Sequence, residues 1–291
     1  MIENIRKQSW FDNEAYPFAS QYFHTPIGKM HYIDEGKGEA VVLVHGTPAW
    51  SFLYRDFIKH FSKTHRCIAL DHIGFGLSEK PENWTYSPQE HAENLEKLIQ
   101  HLGLKDITLV IHDFGGAIGL GYALKYPANI KKVVLFNTWC WETKSNQEAQ
   151  KVNKILHSFL GKMLYLNFNF SPKILFRQGF YNKNKLSAKV HQHYVKVFPS
   201  KKDRYGLLKI GQSIIGSSDW FEALWQEMDK LADKPFLIIW GMKDEFIKPD
   251  FLAKWEACLR NYQTVRLECG HFIQEEMTTE AIQAMQYFVG K

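Results

Sequence analysis

Leu109-Val-Ile-His-Asp-Phe-Gly-Gly116 joins an apolar run to a pair of glycines through a single acidic residue. Residues 107–111 show no apolar–polar alternation, the pattern of a strand buried on both faces of a parallel sheet. Residues 115–126 carry a helical pattern, and Gly115 and Gly116 let the chain turn from strand to helix in almost no length. A strand–turn–helix of this kind pushes one side chain up at the top of a sheet, the layout of a nucleophile elbow. Serine usually stands at its centre; here it is Asp113. Aspartate also suits a plain helix N-cap, so this segment alone leaves both readings open.

Working outward, short apolar runs at 40–44, 67–70, 132–136, 236–240 and 264–267 read as further buried strands. Residues 21–35 alternate around Pro26-Ile27-Gly28 like a hairpin, and helical patterns lie at 87–101, 249–259 and 279–288. Strands separated by helices predict a mostly parallel sheet covered on both faces. The rhythm breaks once. Between about 139 and 231 no buried-strand run occurs, and the chain reads as helices rich in aromatics and lysine, for example over 152–168 and 185–198. Such an insertion after one strand predicts a helical cap (139–231) over a core of 1–138 and 232–291. It would cover the carboxyl ends of the strands, where open α/β sheets bind ligands.

Two distant segments change the standing of Asp113. Phe236-Leu-Ile-Ile-Trp-Gly-Met-Lys-Asp244 reads as a strand ending in a loop carboxylate, and Thr264-Val-Arg-Leu-Glu-Cys-Gly-His271 as a strand ending in a histidine. Nucleophile, acid and histidine then follow in the chain order of the α/β-hydrolase fold, each just beyond a strand. Glu142 is the alternative to Asp244 as the acid. Upstream, Val42-Leu-Val-His-Gly-Thr-Pro48 reads as a strand and a tight turn. That turn offers the backbone N–H of Thr47, with that of Phe114, as an oxyanion hole. His45 reads as a buried support for the turn, and Asp71-His-Ile-Gly-Phe-Gly-Leu-Ser78 as turn chemistry.

Composition sets the bounds. The 291 residues are 45% hydrophobic and 15% aromatic, which excludes disorder. The net charge of +5 comes from 36 basic and 31 acidic residues; the basic ones are dispersed and clusters such as Lys201-Lys202 are short, so no nucleic-acid partner is expected. Cys67, Cys140, Cys258 and Cys269 lack CxxC or metal-ligand spacing. They read as reduced thiols of a cytoplasmic protein needing no metal and no organic cofactor. Residues 1–12 carry charge and no apolar core, so no signal peptide is expected. No stretch reaches the roughly 18 apolar residues of a membrane span, and no membrane partner is expected either. The sequence leaves the oligomeric state open.

At this point the chain resembles the haloalkane dehalogenases, in particular the group whose acid follows the strand after the cap. The motifs are HGTPAWSFLYR from His45, D-x-x-GFGLSEKP from Asp71, HDFGG from His112, GMKDEFIKPD from Gly241 and CGHFIQEE from Cys269. They lie within His45 to Glu142 and Trp240 to Glu276, roughly half the chain; the cap is only loosely similar. The resemblance implies an α/β-hydrolase fold with an eight-stranded sheet, a triad of Asp113, Asp244 and His271, and water plus a small apolar organic molecule as substrates. Two positions depart from the family. It usually follows the nucleophile with a tryptophan that binds the leaving halide, where this chain has Phe114, and some members use asparagine where Thr47 stands. Phenylalanine has no hydrogen to donate, and a missing charge-assisted hydrogen bond forfeits about 1.5–3 kcal/mol. Trp139 and Trp141 are the candidates to line the leaving-group pocket.

Aspartate also restricts the reaction. Its attack on an ester carbonyl would give an anhydride, whereas attack on an sp³ carbon bearing a leaving group gives an alkyl–enzyme ester. Epoxide hydrolases share the framework and draw protons from two cap tyrosines; Tyr165, Tyr181, Tyr194 and Tyr205 are available here. Decarboxylases of strained lactones and a luciferase-type oxygenase share it too. A ligand receptor without catalysis is the alternative of a different class, and the intact Asp-Asp-His set speaks against it.

Overall fold

The computed structural model describes residues 5–290; the first four residues of the amino-terminal stretch read above as leaderless lie outside the described residues. Eight strands form one sheet: β1 (Gln21–Thr25), β2 (Gly28–Glu35), β3 (Ala40–Val44), β4 (Arg66–Leu70), β5 (Ile107–Asp113), β6 (Ile130–Thr138), β7 (Phe236–Gly241) and β8 (Tyr262–Leu267). They stand in the order β1-β2-β4-β3-β5-β6-β7-β8. β2 pairs antiparallel with β1 and with β4, and every pairing from β4 to β8 is parallel.

The central strands are buried because both their faces are covered. β3, β5 and β7 have no exposed residue, which is why their sequences run apolar without alternation. β8 departs from expectation. It is an edge strand with Tyr262 and Arg266 exposed and Val265 and Leu267 only half-buried, because just one neighbour covers it.

The helices flanking the sheet fall close to the expected ranges: Pro88–His101, Phe114–Lys125, Pro249–Cys258 and Thr278–Val289. The first is opened by Ser87, whose hydroxyl caps the helix by accepting from the Glu90 amide and also donates to the Glu90 carboxylate. Between β6 and β7 the chain forms helices and no strand, a cap over the carboxyl ends of the strands. One expectation there fails. The run 152–168 is two helices, Gln147–His157 and Phe159–Phe168, parted at Ser158, whose backbone is extended and whose hydroxyl caps the second helix through the Gly161 amide. Serine competes with helix continuation in this way. The run 185–198 likewise shortens to Ala188–Lys196 behind its own cap, Ser187.

Candidate active site

Asp113 ends β5 with φ 55 and ψ −132, a backbone region that non-glycine residues enter only when their surroundings force it. Its side chain makes no capping bond to the helix that follows, so the plain N-cap reading fails. Instead Oδ1 accepts from the Thr47 amide at 2.7 Å, and the adjoining Phe114 amide acts on the carboxylate electrostatically, favouring its charged form. Two glycines make room for this. A Cβ on Gly46 would stand 2.1 Å from Asp113 Oδ1, and one on Gly116 would meet the Thr138 hydroxyl at 1.6 Å. That hydroxyl is occupied in holding the Asp113 carbonyl at 2.6 Å.

His271 follows β8 on a loop fixed from two sides. Its amide donates to Gly179 O at 2.6 Å, and its carbonyl accepts from His112 Nε2 at 3.0 Å. The ring then faces both carboxylates: Nδ1 lies 2.7 Å from Asp244 Oδ2, and Nε2 lies 3.7 Å from Asp113 Oδ2. Asp244 follows β7 and is held by three more donors. Oδ1 accepts from the Phe246 and Ile247 amides at 2.7 and 3.1 Å, and Oδ2 from Asn137 Nδ2 at 2.8 Å. All three charged groups are buried. Burial pushes the Asp113 pKa up, and His271 and the Phe114 and Thr47 amides offset this only in part, so it stays above the usual carboxylate value. Burial alone would pull His271 down; the charge and hydrogen bond of Asp244, joined by Asp113, override it and leave the imidazole above 6.5.

Glu142 is elsewhere engaged. It bonds the amide and hydroxyl of Ser145, and no hydrogen bond or ion pair joins it to His271 among the described residues. His45 is a support: its Nδ1 pairs with the Gly46 carbonyl and its Nε2 accepts from the His72 amide.

A cavity of about 640 Å³ opens above these groups, lined by Thr47, Asp113, Phe114, Trp139, Trp141, Tyr165, Leu175, His271 and Phe272 among others. Trp139 packs edge-on against Phe114, ring centres 4.9 Å apart, and its indole nitrogen is buried without a partner among the described residues. Trp141 stands in a cluster with Trp225, Phe251 and Trp255, under the Lys254 ammonium. Of the four cap tyrosines only Tyr165 lines the cavity, its phenol pushed up to about 12 by burial. Tyr194 is spent on Glu275, and Tyr181 is exposed.

Sequence reasoning missed two groups. Asn137 bridges β6 to the loop of Asp244, accepting from the Gly241 amide at 2.8 Å while donating to Asp244. Glu276, buried, accepts from the Gly270, Tyr181 and Asn182 amides at 2.9, 3.1 and 2.6 Å, clamping the histidine loop to the cap. A buried carboxylate inside the CGHFIQEE motif was the available signal. Among the described residues no cluster of His, Cys, Asp or Glu is placed to hold a metal ion, and no helix is long and apolar enough to cross a membrane.

The geometry has close counterparts. The α/β-hydrolase-fold family model matches residues 39–278. Cis-3-alkyl-4-alkyloxetan-2-one decarboxylase of Shewanella oneidensis is 35% identical over 94% of this chain and 89% of its own length. Haloalkane dehalogenase 2 of Mycobacterium tuberculosis is 34% identical over 91% of this chain and 93% of its own. Among solved structures, haloalkane dehalogenase DatA from Agrobacterium tumefaciens superposes with a TM-score of 0.83 at 22% identity, covering 94% of this chain and 96% of that one. DbeA from Bradyrhizobium elkani gives 0.83 at 21%, covering 94% and 98%; both establish the fold alone. With relatives at this identity matched almost end to end, the chain belongs to the α/β-hydrolase-fold family as an enzyme of the haloalkane-dehalogenase-like type.

Proposed function

We propose that this hydrolase works through a covalent ester on Asp113, on a small and largely apolar substrate bound between a core of 1–138 and 232–291 and a cap of 139–231. The observation that carries the reading is the division of labour on one carboxylate. Oδ1 sits on the Thr47 amide at 2.7 Å and Oδ2 faces the imidazole at 3.7 Å. Oδ2 attacks the sp³ carbon, the carbon–halogen bond breaks, and halide leaves; Oδ1 becomes the ester carbonyl. His271 Nε2 then takes a proton from water as the water oxygen attacks Cγ. The charge that develops on Oδ1 falls on the Thr47 and Phe114 amides. Asp244 holds the imidazolium. Collapse releases the alcohol, protonated by His271, and restores Asp113 with one oxygen from water. Trp139 and Trp141 would line the leaving-group side. Four free cysteines, three of them buried, support a reducing, cytoplasmic setting.

A single turnover in ¹⁸O-water tests this: one heavy oxygen should appear in the peptide bearing Asp113. Turnover without label there, or undiminished activity in Asp113→Ala, would overturn the reading.

A second reading has its own support. The Phe114 side chain offers no N–H to a halide, and the Shewanella relative is named for a four-membered lactone. Attack at the ring sp³ carbon would open that lactone to a tethered carboxylate. Loss of carbon dioxide would then expel Asp113 and leave an alkene, with no water consumed. Product analysis separates the two: alcohol and halide for the first, alkene and carbon dioxide for the second.

A further inference from the structure

From Ala149 to Lys202 the chain contains no aspartate or glutamate, yet it holds eleven of the 36 basic residues. The cap of 139–231 as a whole carries 15 basic against 7 acidic side chains, and the core 21 against 24, so the cap is a positive body on a slightly negative core. The basic residues are spread along the whole segment, which makes them look dispersed; the missing acids are the signal. All eleven basic side chains are exposed, and among the described residues only Lys189 and Lys202 enter ion pairs, with Asp12 and Glu82.

The same part of the cap exposes apolar side chains. Val152, Ile155, Phe159 and Leu160 are 43%, 57%, 84% and 58% exposed, on the two helices that meet at Ser158. The corner is tight: a Cβ on Gly161 would stand 1.9 Å from the Ile155 carbonyl, which sets Phe159 and Leu160 beside Ile155. Lys151, Lys154 and Lys162 are interleaved with them and unpaired among the described residues. Isolated exposed apolar residues need no explanation, but large apolar tips among unopposed lysines form the pattern of an interfacial surface. Val152 also lines the cavity, so this surface reaches the wall of the substrate pocket.

We propose that this corner of the cap docks on an anionic lipid bilayer, with Ile155, Phe159 and Leu160 entering the acyl boundary and Lys151, Lys154 and Lys162 meeting lipid phosphates. An apolar substrate dissolved in the bilayer then enters the cavity beside Val152 without crossing bulk water. A second copy of the chain docking cap to cap would oppose like charges. Docking cap to core would not, and this is the competing occupant.

Flotation of the intact protein with vesicles of phosphatidylcholine alone, and of equal parts phosphatidylcholine and phosphatidylglycerol, tests the proposal without any turnover. Its failure therefore leaves the reading of Asp113 untouched. The native chain should float with the anionic vesicles only, and less so as salt rises. Near an anionic surface each lysine is worth about fivefold in partitioning, so Lys151→Gln, Lys154→Gln and Lys162→Gln together should cost on the order of a hundredfold. Ile155→Ser, Phe159→Ser and Leu160→Ser together should also abolish flotation, while both triple variants keep native activity on a water-soluble substrate. Flotation with both vesicle types alike, with neither, or undiminished in the variants would overturn the proposal. So would an oligomer in solution that the serine variant dissolves.

Discussion

His271 Nε2 stands 3.7 Å from Asp113 Oδ2, close enough to act on a group bound to that oxygen and too far to be tied to it by a hydrogen bond. The imidazole is instead anchored from behind by Asp244. Alkylation of Asp113, as proposed, would therefore cost the histidine no hydrogen bond and would leave Nε2 free to work on water.

The first consequence is a trap. His271→Gln should still form the ester but fail to hydrolyse it, since general-base assistance is worth about 10²–10⁴ in rate. Incubated with a true substrate, the variant should accumulate an adduct on the peptide containing Asp113, seen by mass spectrometry. An adduct on another residue, or steady turnover, would remove His271 from the second step. On a lactone substrate that loses carbon dioxide, the same variant should remain active, because that route consumes no water.

The acid can be tested by exchange. Asp244→Asn should lower turnover by about 10²–10⁴, because the imidazolium formed in hydrolysis loses its countercharge. Glu142→Gln should change it little, since Glu142 is bonded to Ser145 and not to His271. The reverse ranking would mean that the acid changes place when substrate binds.

The pH dependence has a definite sign. His271 has its pKa raised above 6.5, and only the neutral ring can take a proton from water. Hydrolysis should therefore rise with pH and level off above that raised value. In the ester intermediate Asp113 carries no charge, so one of the two carboxylates raising His271 is gone. With His271 intact, the inflection for hydrolysis of the ester in single-turnover experiments should lie below the imidazole pKa of the free enzyme, read by NMR. For stability both shifts act in one direction. The raised histidine stabilises the fold fully below 6.5, and this is lost as pH rises through the folded value. The raised Asp113 carboxyl binds its proton more tightly folded than unfolded, so its ionisation also lowers stability with rising pH. Asp113→Asn should accordingly raise the melting temperature at neutral pH, by the equivalent of about 0.5–2 kcal/mol.

How much of this was legible follows from where each residue sits in the chain. Asp113 ends one strand and Asp244 and His271 follow two others, all plain in the sequence, so their chain order suggested that the three would meet. Gly46 and Gly116 could be seen as turn residues, but the contacts that forbid a Cβ there come from β3 lying beside β5 and β5 beside β6. Asn137 and Glu276 lay hidden because their partners are far off in the chain, on β7 and in the cap. A buried asparagine at a strand end looks like any other until Asp244 is placed beside it. The failed helix at 152–168 has a local cause, a serine whose hydroxyl caps the next helix, and apolar periodicity runs across it undisturbed. β8 was read as buried because its sequence resembles its neighbours; position at the sheet edge is not a property of the strand itself.

The last prediction concerns the leaving group. Both chemical steps have their residues, so nothing in the site forbids dehalogenation. What position 114 lacks is a side-chain donor: Phe114 presents a ring edge-on to Trp139 and no side-chain N–H. The native enzyme should therefore be a weak dehalogenase. Phe114→Trp places an indole at a position that lines the same cavity. One restored hydrogen bond to the departing bromide should recover about 1.5–3 kcal/mol, or about tenfold to a hundredfold in kcat/KM on brominated alkanes. Turnover of a substrate whose leaving group is an oxygen should stay flat or fall, because the added donor then meets no halide and the added bulk narrows the pocket. The comparison needs steady-state kinetics of both proteins on both substrates, with circular dichroism to show that the variant is folded. Brisk native dehalogenation, with halide bound to the unpartnered indole of Trp139, would mean that the donor has moved and not vanished. A folded Phe114→Trp with no gain would mean that this pocket serves a substrate without a halide, and would favour the lactone.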